Sequence, residues 1–192
     1  MSTISRSLPR TKFGRLTALS AARTKKNNPG ANGNFLTQLT TDRLDNIQGN
    51  YAVAYTELAT AAANLYTHTP GKTSAVDDVK MFASHFIQVF NLGVARGKYP
   101  AGHRAFYNLD VNSNAVPVMG TEEEIMQVAK DIVDGNLLRL AAGGAAMENP
   151  TAVEVGTKRN AAENLRIAQS NLKDALDAKQ EALDDFLRKL IR

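Results

Sequence analysis

Cysteine and tryptophan are both absent from this 192-residue chain. Without cysteine there is no disulfide framework, no thiolate zinc site and no cysteine nucleophile. That absence agrees with a cytoplasmic setting, which is the expectation here. Long apolar runs are absent too, so no membrane span is expected. The opening MSTISRSLPRTKFGRL lacks the continuous apolar core of a secretory signal. Histidine occurs three times, as His68, His85 and His103. None has the HExxH or ExxH spacing that places ligands on one helix face, so no metal and no cofactor are expected. His85 borders an apolar arc and reads as a satisfied core histidine. No strand-linked glycine fingerprint and no nucleophile elbow occur, so the chain is expected not to be an enzyme. PGKTS at 70–74 resembles the tail of a phosphate-binding loop. The resemblance fails, because Tyr66 stands where that loop needs glycine and a helix, not a strand, precedes it.

Acidic residues are missing from the first 41 positions, which carry Arg6, Arg10, Lys12, Arg15, Arg23, Lys25 and Lys26. The remaining residues hold 16 basic and 19 acidic side chains, a near-neutral body behind a basic arm. Residues 11–26 can form a short amphipathic helix with Phe13, Leu16, Leu19 and Ala22 on one side. NNPGANGN at 27–34 breaks it. We therefore divide the chain into a basic arm at 1–34 and a helical bundle at 35–192. The arm's seven cations are candidate contacts for nucleic acid or an acidic surface. The plainer reading is a solvated helix docked by its apolar edge, since no aromatic interleaving accompanies the charges.

The stretch from Val76 to Arg96 organises the rest. On a helix, Lys80, Ser84, Gln88 and Asn91 share a narrow polar stripe. Val76, Val79, Phe82, Ala83, Phe86, Ile87, Phe90 and Val94 fill the opposite side, and Val89 and Leu92 widen it. A helix apolar over most of its circumference is buried and central. Ser74 is its expected cap, Asp77 and Asp78 its first-turn acids, and Gly97 its C′ residue. Gly93, inside the apolar arc, is expected to let a neighbouring backbone come close.

A second helix is expected from Thr41 to about His68, ended by Thr67, Pro70 and Gly71. Leu44, Ile47, Tyr51, Ala54, Leu58, Ala61 and Leu65 give it a heptad seam. Thr121 with Glu124 forms a capping box for a third helix, which Gly135 interrupts and Gly143–Gly144 end. Asn149–Pro150 opens a fourth that runs to Arg192. Ala161, Ala168, Ala175 and Ala182 repeat every seven residues along it, Leu165, Leu172, Lys179 and Phe186 interleave with them, and Leu176, Leu183 and Leu190 form a second row. Large residues alternating with alanine predict close antiparallel packing of the two long helices.

The fold class is therefore all-α, an elongated bundle of two long antiparallel helices around a buried central helix. At about 1.5 Å per residue the last helix exceeds the first by roughly 20 Å. Leu183, Phe186, Leu187 and Leu190 would then overhang as a partner-binding row. The chain stops there without a cap, so a truncated end is expected.

Between the helices, KYPAGHRAFYNLDVNSNAVPVMG gathers Lys98, Tyr99, His103, Arg104 and Tyr107. Arginine, histidine and tyrosine are the usual donors to phosphate and carboxylate, so this connector is the candidate anion-binding cluster. The plainer reading is a connector whose aromatics pack on the bundle.

SHFIQVFNLGVARGKYPAGHRAFYNLDVN and AAGGAAMENP resemble segments of a family of uncharacterised bacterial all-helical proteins. The resemblance runs from about Leu44 to the C-terminus and excludes the basic segment before Asn34. It implies an all-helical fold and relatives that continue past Arg192. It implies no activity. The expected role is structural or scaffolding, through self-assembly or a protein partner. Nucleic-acid binding by the arm and anion binding at 97–110 are the alternatives.

Overall fold

Helix α1 spans Lys12–Asn27, α2 Gln38–Ala95, α3 Glu122–Ala141 and α4 Ala152–Ile191, with a 3₁₀ helix at Ala101–Tyr107. The computed structural model describes residues 11–28 and 38–191, with side chains to residue 188. Among these residues there is no strand, and α2 packs against α4 in an all-α bundle. No helix among them is long and apolar enough to cross a membrane.

The largest departure from expectation is α2. Two helices separated at Pro70 are one helix of 58 residues, with Pro70 inside it. Proline deletes the N–H that would reach the Tyr66 carbonyl, at a cost of about 3 kcal/mol in a helix interior. Tertiary contacts on both sides of the defect hold the helix through it. His68 Nε2 lies 2.9 Å from the Leu165 carbonyl. Gln169 Nε2 donates to Thr69 Oγ1 at 3.1 Å, and Lys72 pairs with Glu122. Ser74, Asp77 and Asp78 consequently sit mid-helix rather than at a start, and Asp78 pairs with Lys158 at 2.8 Å.

The chain divides into two compact units, and the division falls within α2 and α4 rather than at residue 34. Unit 1 holds the described residues up to Leu65 and those from Leu172 onward. Unit 2 is Tyr66–Asn171.

In unit 1 the heptad seam of α2 faces inward. Tyr51 is fully buried, and Ala54 and Leu58 pack beside it. Leu183 and Leu187 of α4 complete this core, with Phe186 at its edge and Leu16 and Leu19 of α1 covering it. Tyr51 lies 6.1 Å from Phe186, ring to ring, and Glu57 pairs with Lys179 at 2.8 Å. The partners descend along α4 as α2 ascends, so the two segments are antiparallel.

In unit 2 the same helices flank α3. Val76, Val79, Ala83, Phe86, Ile87 and Phe90 of α2 form the core with Ile125, Met126, Ala129 and Ile132 of α3 and Ala152, Val155 and Ala162 of α4. The central stretch thus buries the face its sequence periodicity marks. Leu92 is an exception, being half exposed, and His85 is exposed rather than in the core.

The alanine row on α4 does not form the seam. Ala161, Ala175 and Ala182 are exposed and Ala168 is half-buried, whereas Leu165, Leu172 and Leu176 are half-buried and Leu183 is buried, at spacings of seven, four and seven. A seam selects the positions that remove most apolar area from water, and leucine removes more than alanine.

The ends follow their local chemistry. Gly97 and Gly143 have φ of 72° and 81°. Each carries the paired backbone bonds of a Schellman stop: Lys98 N–H to the Gly93 carbonyl at 2.8 Å, and Gly144 N–H to the Arg139 carbonyl at 2.9 Å. The Thr121–Glu124 capping box is present. The start of α4 is capped by Thr151 with Glu154, not by Asn149, which lies two residues before the cap.

Candidate functional site

Three groups of residues carry the functional expectations. The connector cluster at 97–110 lies in unit 2. Arg104 is buried, and each of its three nitrogens is bonded within the chain. Nε donates to Asn91 Oδ1 at 3.0 Å, Nη1 to the Val111 carbonyl at 3.0 Å, and Nη2 to Asn114 Oδ1. Asn91 donates onward to the Asn114 carbonyl at 3.0 Å, which explains why a residue of the expected polar stripe is buried. A planar five-donor fork suits this task, because it fixes a loop at three acceptors at once. Arg104 is therefore a staple for the connector.

Tyr99 and Tyr107 are also buried. Tyr99 stacks on Phe90 with centroids 5.3 Å apart, and Tyr107 meets Phe86 and Phe90 edge-on. Tyr99 reaches its place because Gly93 has no side chain: a Cβ there would lie 2.4 Å from Tyr99 Cε2. The close neighbour at Gly93 is thus a ring, not a backbone. Lys98 is exposed over the outer side of Tyr99, 5.6 Å from its centroid. His103 is half-buried against Phe106, and its Nδ1 has no hydrogen-bond partner. The five residues do not converge on one point.

Two of them, Tyr99 and Tyr107, instead flank an arginine of α3. Arg139 of α3 has no exposed surface. Its guanidinium carbon lies 5.2 Å from the Tyr99 centroid, 5.8 Å from Phe90 and 5.9 Å from Tyr107, within cation–π range of all three. Nε donates to Tyr107 Oη at 2.6 Å and Nη2 to Asn136 Oδ1 at 3.3 Å. Nη1 has no partner. Burial pushes the Tyr107 phenol above its ordinary value, against the opposing pull of Arg139, so Tyr107 is a neutral acceptor. A signal was present in the sequence. Ile125, Ala129, Ile132, Asn136 and Arg139 follow four-three-four-three spacing, so Asn136 and Arg139 continue the buried stripe of α3. Gly135 does not interrupt that helix. It admits the Phe106 carbonyl, which a Cβ would approach to 2.0 Å.

The expected partner row belongs to unit 1 and is covered. Leu183 is fully buried, Leu187 nearly so, and Phe186 partly, all against α2 and α1. The side chain of Leu190 lies outside the described residues. The overhang was inferred from a first helix ending near His68. The longer α2 removes it.

The basic arm yields α1. Its Lys12 carbonyl accepts from the Tyr51 hydroxyl at 2.8 Å. Lys12 lies 3.7 Å from Asp184, Arg23 lies 3.2 Å from Asp45 and donates to Gln48 at 2.8 Å, and Lys26 pairs with Asp45. Arg15 sits half-buried near Tyr51, and Lys25 is exposed. Arg6 and Arg10 lie outside the described residues. Most of the described cations thus face acids of their own unit, and the docked apolar edge is Leu16 and Leu19, while Phe13 is 64% exposed.

No family model matches this chain, nor does any curated protein or solved structure.

Among the described residues, no three histidine, aspartate or glutamate side chains lie together as a metal site would require. Among its described residues, unit 1 also carries an open feature. A groove of about 610 Å³ runs along α2, lined by Ala52, Val53, Thr56, Thr60, Ala61 and Asn64, with Glu57 and Lys179 at its edge.

Proposed function

We propose that this chain is a non-enzymatic structural or scaffolding protein that works by helix-mediated self-assembly, the α2 groove of one copy receiving α2 of another. The α2 groove carries this reading. Its side chains are small, which lets a second helix approach near the short end of the usual 8–10 Å range. Its polarity is largely spent internally: Thr56 donates to the Ala52 carbonyl and Thr60 to the Thr56 carbonyl, each at 2.9 Å. The face therefore behaves as apolar despite its threonines, and Val53 stands 60% exposed on it. Glu57 and Lys179 form an exposed pair at its edge. In a two-fold dimer the same pair can exchange across copies, so the face is self-complementary in charge as well as shape.

Light scattering behind a sizing column tests this, over a concentration series at low and high salt. A mass above 20.8 kDa that survives high salt is expected. Val53→Glu with Thr60→Glu should return the chain to monomer without loss of helicity. A monomer at every concentration would overturn self-assembly and leave a different protein as the occupant of the groove.

A further inference from the structure

Arg139 is a permanently charged group with no carboxylate paired to it among the described residues. A guanidinium keeps its proton at any ordinary pH, so burial cannot neutralise it as it would a lysine. Taking it out of water costs several kcal/mol unless a counter-charge or a full set of acceptors replaces the water. Here the acceptors are two neutral oxygens, Tyr107 Oη at 2.6 Å and Asn136 Oδ1 at 3.3 Å. Three ring faces add cation–π attraction, which repays only part of the cost.

The surroundings have donors in excess. Nη1 is buried without a partner. The Tyr107 hydroxyl reaches Asn136 Oδ1 only at 3.4 Å, and the Tyr99 hydroxyl reaches the Ala146 carbonyl only at 3.4 Å. Both bonds are at the weak end of the O–H···O range, so both donors can turn to a stronger acceptor at little loss. A net positive charge, an orphan donor and two loosely held hydroxyls are what an anion requires and what a neutral ligand does not.

We propose that the Arg139 cage binds a small monoanion, of halide to carboxylate size, against Nη1. One charge fits because the cage carries one; a dianion would leave a buried negative charge unbalanced. The approach is from the Gly144 side. An added Cβ at Gly144 would stand 2.8 Å from the Arg139 carbonyl, 2.9 Å from its Cγ and 3.0 Å from Nη1, so glycine is what lets this segment lie directly against the guanidinium, and an anion reaches Nη1 by displacing the segment. The covering segment, Gly143 to Ala146, is small and mostly exposed. It is attached to the cage by the long Tyr99 bond.

Bromide is the probe. The full chain is crystallised from sodium bromide, and thermal unfolding is followed in bromide, acetate and sulfate at equal ionic strength. An anomalous peak within hydrogen-bonding distance of Arg139 Nη1 is expected. The melting temperature should rise by about 5–10 °C once bromide exceeds its Kd a hundredfold. Sulfate should give no such rise. Arg139→Met, which keeps the volume and removes the charge, should abolish the bromide dependence. If that variant fails to fold, Gly144→Ala should weaken bromide at least tenfold, read from the midpoint of the titration. Bromide at surface lysines and arginines alone, an adventitious ion only, would overturn the proposal. So would a bromide response unchanged in Arg139→Met or Gly144→Ala.

Discussion

Two glycines of this chain differ only in what stands opposite them, and the difference sets the sign of a substitution. Gly135 faces the Phe106 backbone, with a would-be Cβ 2.0 Å from the carbonyl oxygen and 2.6 Å from its carbon. Backbone cannot turn aside as a side chain can, so Gly135→Ala must push the 3₁₀ helix off α3. We expect it to destabilise the protein by about 3 kcal/mol, read by urea unfolding. Gly49 also lies within a helix but has nothing within 4 Å of its would-be Cβ. Gly49→Ala should stabilise by about 0.5–1 kcal/mol, since alanine loses less backbone entropy on folding. Equal effects from the two substitutions would show that the Phe106 contact is not what glycine 135 serves. The same reasoning sets Arg104 and Arg139 apart. Both are buried arginines, but one has three acceptors along its fork and the other has a donor to spare.

Helix α1 shows how an element with no buried residue can still be held in place. Its apolar contacts are shallow, and its ends are fixed by charge: Lys12 to Asp184 at one end, Arg23 and Lys26 to Asp45 at the other. The hydrogen bond from Lys26 is the largest influence holding the Asp45 carboxyl below its ordinary 3.8. A depressed carboxylate stabilises the folded form above its unfolded value and ceases to do so as pH falls through its folded one. The α1 latch should therefore be intact above pH 3.8 and loosen below it, seen as faster amide exchange within α1. Asp45→Asn should loosen α1 already at neutral pH and remove that acid dependence. High salt should act in the same direction but weakly on Lys26–Asp45, because that pair is partly buried while Arg23 and Asp184 are exposed. Unchanged α1 exchange in Asp45→Asn would mean that Leu16 and Leu19 hold the helix alone.

At this scale the sequence was most legible where a single period or cap decides the structure. The inward face of Val76–Phe90, the heptad seam of Tyr51–Leu65, the Thr121–Glu124 box and the Gly97 and Gly143 stops all rest on local pattern. Pro70 reads locally as a break because its penalty is real and is offset by contacts with residues fifty to a hundred positions away. The α4 seam was misread because two heptad rows, one of alanine and one of leucine, compete at the same period. Of the candidate site, Tyr99 and Tyr107 were legible as aromatic donors. Arg139 was not, because a charged residue on an apolar stripe reads as a helix-end cation until its burial is seen.

The two compact units share two helices, and this makes their stabilities separable in a testable way. Each unit has its own core: Tyr51, Leu183 and Leu187 in one, the Phe86–Phe90–Ile132 cluster in the other. No core side chain is common to both. The backbones of α2 and α4, continuous at Leu65–Tyr66 and Asn171–Leu172, are one route by which the units can support each other. Helix propagation transmits about one hydrogen bond per residue, far less than a core does. Pro70 removes one such bond on the α2 route. Local unfolding of unit 1 with unit 2 intact is the expected first step on heating. Leu183→Ala opens a cavity in the smaller core and should cost unit 1 about 2–5 kcal/mol. Amide exchange should then accelerate in α1 and in α2 before Leu65, while α3 keeps its protection. Phe90→Ala should do the reverse, exposing α3 and sparing α1. If either substitution accelerates exchange equally in both units, the chain folds as one cooperative body, and the shared helices carry more coupling than their hydrogen bonds account for.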